Sequence, residues 1–171
     1  MAQGYPQVEG VDFDETFAPV ARMESIRVLL ALACHLKFKL YQIDVKVAFL
    51  KGFLKKDVYM AQPKGLIDSH FPDHVLYLKK ALYGLKQAPR AWYDRLPQYL
   101  VSHGFTRGQD DQTLFIKKEN GKLIVAQVVV DDIIFESTKD ELAHNFSKFM
   151  QAEFEMSMIG KLNQFLGLQI H

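Results

Sequence analysis

The order of secondary-structure signals along the 171 residues predicts an α+β fold, a βαββαβ unit whose antiparallel sheet carries both helices on one face. Three observations predict it. Residues 39–45 (KLYQIDV) alternate as a half-buried strand does. Residues 122–136 hold two apolar runs separated by Asp131-Asp132, the pattern of a tight hairpin. Residues 90–103 and 138–151 read as helices set between strands. At 49% hydrophobic and 12% aromatic, the chain can bury the core such a unit needs.

Taken in order, residues 1–20 contain Gly4, Pro6, Gly10 and Pro19 and read as loop. Residues 22–36 (RMESIRVLLALACHL) lack Gly and Pro and are apolar around most of the helical surface, which predicts a buried helix with Cys34 packed as a small hydrophobe. Along 39–45, Leu40, Gln42 and Asp44 share one strand face and Tyr41, Ile43 and Val45 the other. Residues 51–88 are loop-rich, with short strands expected at 58–62 and 74–79. Pro89 suits a helix start, where its missing N–H costs nothing. Pro97, inside the same helix, is expected to break a turn at a cost of roughly 3 kcal/mol. Residues 113–118 and 122–130 flank Glu119-Asn120-Gly121, a hairpin turn because both central positions favour positive φ. Thr138-Lys139-Asp140-Glu141 has the spacing of a capping box opening a helix to about Gln151. Residues 164–170 (QFLGLQI) read as the unit's last strand, and the 113–118 strand is left outside it.

Composition excludes several classes. A single cysteine cannot form a disulfide within the chain, no apolar run approaches the ~20 residues of a membrane span, and no secretory leader is legible, so a membrane or secreted protein is not expected, a reducing compartment is, and localisation stays open between cytoplasm and nucleus. The Asn145-Phe146-Ser147 sequon then carries no meaning. The net charge of +1 conceals a division: residues 1–36 carry −3, residues 37–95 carry +7 and residues 96–171 carry −3. A basic centre suits a polyanionic partner, though a solvated lysine face gives the same count.

Asp131 and Asp132 interrupt one of the most apolar stretches of the chain. Two readings stand. Aspartates are favoured in a solvated hairpin turn. Alternatively, a carboxylate pair at a strand tip meets a third from the neighbouring strand, for which Asp44 is the candidate, and three hard oxygen donors suit Mg²⁺ better than zinc. His70 and His74 are separated by a Phe71-Pro72 break and make a poor zinc pair. The working motifs of zinc proteases, esterases and P-loop enzymes do not occur. Residues 82–93 (LYGLKQAPRAWY) combine aromatics, Lys86, Arg90 and Gln87, either as a nucleotide-contact surface or as rings packed on a sheet beside solvated cations.

Together these segments resemble the reverse transcriptase of copia-type plant retrotransposons over nearly the whole chain. The resemblance rests on residues 12–22 (DFDETFAPVAR), on Tyr41-Gln42-Ile43-Asp44-Val45-Lys46 with Ala48-Phe49-Leu50, on residues 81–93, on Val130-Asp131-Asp132-Ile133-Ile134-Phe135 and on residues 165–170. It implies a right-hand polymerase palm with partial fingers and no thumb: residues 1–22 as fingers, 23–54 as palm, 55–88 as fingers and 89–171 as palm. It implies RNA-directed DNA polymerase activity, with Asp44, Asp131 and Asp132 catalytic, and these three with the Val45 carbonyl holding Mg²⁺, or Mn²⁺ in its place. Phe49 would lie under the incoming sugar, Gln87 would line the nucleotide pocket, and Lys86 and Arg90 would contact nucleic acid. The partners are then an RNA or DNA template with its primer and a deoxynucleoside triphosphate.

Five positions depart from the family pattern. Val129 stands where a tyrosine is usual, Val47 where a small polar residue is, Lys51 for asparagine and Glu136 for glycine, and Pro97 is unusual in its helix. A glycine at 136 is expected to serve a backbone conformation that a Cβ resists. The stretch from Met1 to Tyr5 is expected to begin partway through the fingers, and a chain stopping at His171 lacks ribonuclease H and integrase regions. Weak or absent polymerase activity is therefore expected of the chain alone. A non-catalytic nucleic-acid-binding remnant and an incompletely folded protein without function are the competing expectations.

Overall fold

In the computed structural model, which describes residues 2, 4–119 and 121–170, the chain forms α1 (Met23–Leu36), β1 (Lys39–Val45), a 3₁₀ turn (Ala48–Lys51), β2 (Phe53–Ala61), β3 (Val75–Lys80) and α2 (Ala88–Ser102). Then follow β4 (Thr106–Arg107), β5 (Leu114–Glu119), β6 (Lys122–Val129), β7 (Asp132–Ser137), α3 (Asp140–Glu153), β8 (Met156–Lys161), β9 (Gln164–Phe165) and β10 (Leu168–Gln169). Helices and antiparallel sheets thus mix as the α+β reading requires. The elements divide into two compact units, residues 1–18 with 49–95, and residues 19–48 with 96–171.

The larger unit, 19–48 with 96–171, is built on a six-stranded sheet in the order β4-β5-β6-β7-β1-β8. Every neighbouring pair is antiparallel, so its four strands β6-β7-β1-β8 realise the split βαββαβ order. Alternation then sorts the side chains. Tyr41, Phe135 and their row-mates face α3, where the Phe135 ring lies 4.9 Å from Phe146. The C-terminal half of α2 joins that layer, with the Tyr99 ring stacked 4.8 Å from Phe149 of α3. Leu40, Ile134, Val125 and Val129 face the other way and pack with Ile26, Leu29 and Ala33 of α1. The sheet is therefore covered on both faces, by α2 and α3 on one and by α1 on the other.

Several local expectations need correction. Helix α1 buries one stripe, not most of its surface: Ile26, Leu29 and Ala33 are buried, Val28 and Leu32 are exposed, and so is Cys34. An amphipathic contact with a single sheet face needs only residues three and four apart, and Cys34 falls off that stripe. Pro97 is buried inside α2, which runs unbroken from Ala88 to Ser102. The capping box does not form. Lys139 is the N-cap residue of α3, without a side-chain cap, while the Thr138 hydroxyl accepts a hydrogen bond from the Leu123 amide at 3.3 Å. The final strand of the sheet is β8, not residues 164–170, which turn back on themselves as β9 and β10 through Leu166 and Gly167, both at positive φ. Strand β5 belongs to the same sheet. Its turn into β6 has Gly121 at φ 72°, and Asn120 lies outside the described residues.

The smaller unit, 1–18 with 49–95, pairs β2 with β3 and buries Val58, Ala81, Leu85, Ala88 and Ala91 in a core of small side chains. Small residues let the backbone come close. A Cβ on Gly52 would stand 2.6 Å from the Ala91 carbonyl carbon and 2.7 Å from the Trp92 nitrogen, so glycine is required there by space.

Candidate catalytic and nucleotide-binding site

In the larger unit, antiparallel pairing of β1 with β7 sets Asp44 directly opposite Asp132, so both carboxylates leave the same sheet face at one end. Asp131 sits in the two-residue turn between β6 and β7, and its carbonyl accepts a hydrogen bond from the Val45 amide at 3.0 Å. The other turn residue, Val130, has φ 59°, and Val47, three residues beyond Asp44, has φ 53°. A β-branched side chain at positive φ is a steric outlier, worth about 1–2 kcal/mol of strain at each position. Strain of this sort accumulates where geometry is set by function. It brackets the aspartates here.

Two further side chains complete the cluster: Gln42, placed by the alternation on the face of Asp44 but given no role, and Ser157, which carries no signal of its own in the sequence. Gln42 lies two residues before Asp44 on the same face and donates through Nε2 to Asp132 Oδ1 at 3.0 Å. Ser157 stands opposite Asp44 on the other flank. A bulge causes this, because the β1–β8 register shifts between Gln42 and Ile43, so that Ser157 and not Met158 faces Asp44. Gly160, at φ 111°, is the signal in the sequence that marks it. Asp132 is held above the usual carboxylate range, first by burial, against the pull of the Gln42 hydrogen bond, and then by the charges of Asp131 and Asp44. Asp132 thus feels both neighbouring carboxylates. The donor chemistry of all three, hard oxygen ligands, fits a hard divalent cation. As placed, however, no three acidic, histidine or cysteine side chains among the described residues gather into a metal-holding group.

The remaining predicted residues belong to the smaller unit. Phe49 lies in the 3₁₀ turn with its ring 4.4 Å from Tyr83. Gln87 is buried; it accepts a hydrogen bond from Gln7 at 3.0 Å and donates to the Asp12 carbonyl at 3.3 Å. Lys86 donates through Nζ to the Gln7 carbonyl at 3.0 Å and stands 5.4 Å over the Phe13 ring. Arg90 reaches the Phe17 carbonyl at 3.2 Å, Glu15 at 3.4 Å and Asp94 at 3.0 Å. Lys56 pairs with Asp14 at 2.7 Å. Residues 7–17 are therefore stitched down by the cations of the basic middle, and Gln87 and Arg90 line a charged cleft of about 140 Å³ with Asp12 and Glu15. Sequence composition did not reveal this pairing, because the partners lie about 40 to 80 residues apart.

Compared with known proteins, the whole chain, residues 1–171, matches the family described as reverse transcriptase (RNA-dependent DNA polymerase). The chain belongs to this family. It is 42% identical over 169 residues to a retrovirus-related Pol polyprotein from transposon RE1 of Arabidopsis thaliana, covering 99% of this chain and 12% of that protein. It is 36% identical over 171 residues to the corresponding polyprotein from transposon TNT 1-94 of Nicotiana tabacum, covering 99% of this chain and 13% of that protein. A putative transposon Ty5-1 protein of Saccharomyces cerevisiae is 31% identical over 129 residues, covering 75% of this chain and 42% of that protein. The chain thus spans about an eighth of the length of the plant polyproteins it matches. No solved structure matches it. The resemblance to copia-type reverse transcriptases is thereby established.

Proposed function

We propose that the chain carries the palm and part of the fingers of an RNA-directed DNA polymerase, with residues 23–54 and 89–171 as palm and residues 1–22 and 55–88 as fingers. The reaction is attack of a primer 3′-hydroxyl on the α-phosphate of a deoxynucleoside triphosphate, releasing pyrophosphate. The observation that carries this reading is the register of β1 on β7, which pairs Asp44 with Asp132 next to a turn strained at Val130.

Asp44, Asp131 and Asp132, with the Val45 carbonyl, would hold Mg²⁺, or Mn²⁺ in its place. When bound, such ions would lower the pKa of the attacking hydroxyl and neutralise charge on the leaving pyrophosphate. Asp44 and Asp131 supply the charge, and Asp132 is oriented by the Gln42 amide. Phe49 would support the sugar of the incoming nucleotide and exclude a ribose 2′-hydroxyl. Gln87 would line the nucleotide pocket, with Lys86 and Arg90 meeting template and primer phosphates in exchange for their present partners in residues 7–17.

Primer extension on an RNA template with Mg²⁺ tests this, comparing the chain with its Asp131→Asn variant. Extension abolished by that change supports the proposal, and extension that survives it refutes the assignment. A second reading, a non-catalytic nucleic-acid-binding remnant, is favoured by the basic centre of the chain, residues 37–95 with a charge of +7. Binding would then fall steeply with salt and persist, or strengthen, in Asp44→Asn.

A further inference from the structure

A cavity in the larger unit lies away from the aspartates. It has a volume of about 410 Å³ and a floor of Phe105, Phe146 and Phe149. Small-molecule clefts span about 300–1,000 Å³ and combine such an apolar floor with a few converging polar groups. The rings brace one another and so keep the space open: Phe105 and Phe146 are 5.6 Å apart, and His103 meets Phe149 edge-on at 4.8 Å. Lys117 and Lys122 stand on the rim with Glu119, so cations outnumber the carboxylate. Glu119 lies 3.5 Å from Lys117 and opposite Lys122 in the β5–β6 register. Lys117 also sits 5.9 Å over the Phe105 ring, which joins the charged rim to the aromatic floor.

Position separates this cavity from the catalytic cluster. Lys122 and Ile124 line it at the start of β6, whereas the aspartates follow the end of that strand. At about 3.3 Å per residue the two lie roughly 20 Å apart. We propose that the cavity is a binding site for a planar, apolar organic anion, its rings on the phenylalanine floor and its charge on Lys117 and Lys122.

The test uses the folded chain and two fluorescent probes with the same rings, the anionic anilinonaphthalene sulfonate and the neutral N-phenylnaphthylamine. Both should saturate at one per chain. Lys117→Met with Lys122→Met should weaken the anionic probe about tenfold or more and leave the neutral one unchanged, since the methionines keep the apolar stems and remove only the charges. Leu142→Trp, which fills the cavity from α3, should abolish both. Asp131→Asn should alter neither, so this site and the polymerase reading fail independently. Anionic binding that is non-saturable, or indifferent to the methionine pair, overturns the proposal. Should Leu142→Trp fail to melt cooperatively, the methionine pair alone decides.

Discussion

Glu136→Gln should make the protein more stable, and the gain should depend on pH. Glu136 sits in β7 on the sheet face that packs against α1, wholly buried, between Leu40 of β1 and Val125 of β6 in register. Neither carboxylate oxygen has a hydrogen-bond partner. Burial alone pushes its pKa from 4.5 to about 7. Because the folded pKa is the higher one, the folded state binds the proton more tightly, so stability is greatest below pH 4.5 and falls as the pH rises towards 7. At about 1.4 kcal/mol for each pH unit between those limits, the loss approaches 3 kcal/mol. Glutamine keeps the size and polarity but cannot ionise. Urea denaturation of both proteins at pH 4.5, 6 and 7.5 isolates the effect, since every other titrating group is common to the two. The curves should nearly coincide at the lowest pH and differ by about 3 kcal/mol at the highest. A stability difference that is flat across this range would refute the reasoning, because an unpartnered buried carboxylate has to titrate.

Three further outcomes follow from the geometry. Asp44→Asn and Asp131→Asn should each remove whatever weak primer extension the chain supports while leaving the circular dichroism and the melting transition intact, and any loss of fold would count against a purely chemical role. Gly52→Ala should cost about 1–3 kcal/mol in urea denaturation, because its Cβ would collide with the α2 backbone at Ala91 and Trp92. Val47→Gly should instead gain roughly 0.5–1 kcal/mol, since relief of strain at φ 53° outweighs the added freedom of glycine in the unfolded chain.

The departure at residue 136 shows where sequence reasoning took the wrong physical route. A glycine there was expected to serve an unusual backbone angle, yet Glu136 is not among the positive-φ residues and continues a regular strand. What distinguishes the position is its side-chain environment, an apolar layer under α1. Position 47 runs the other way: a small polar residue is what the resemblance leads one to expect there, and the backbone does adopt the left-handed conformation that penalises valine.

Local chemistry was legible in the sequence by itself. Alternation gave β1 and its two faces, Asp131-Asp132 between apolar runs gave the β6–β7 hairpin, and their succession gave the sheet order that sets Asp44 opposite Asp132. The alternation and the hairpin are each written in a short run of consecutive residues, where backbone period and turn chemistry act, and the sheet order needs only their sequence along the chain. Tertiary structure alone decided the rest: that Ser157 faces Asp44 through a bulge, that Gln42 holds Asp132, that Cys34 is exposed, and that Arg90 is paired with Glu15. Each of these depends on which distant segments meet and in what register. A one-residue slip in pairing changes every such partner while leaving the local pattern untouched.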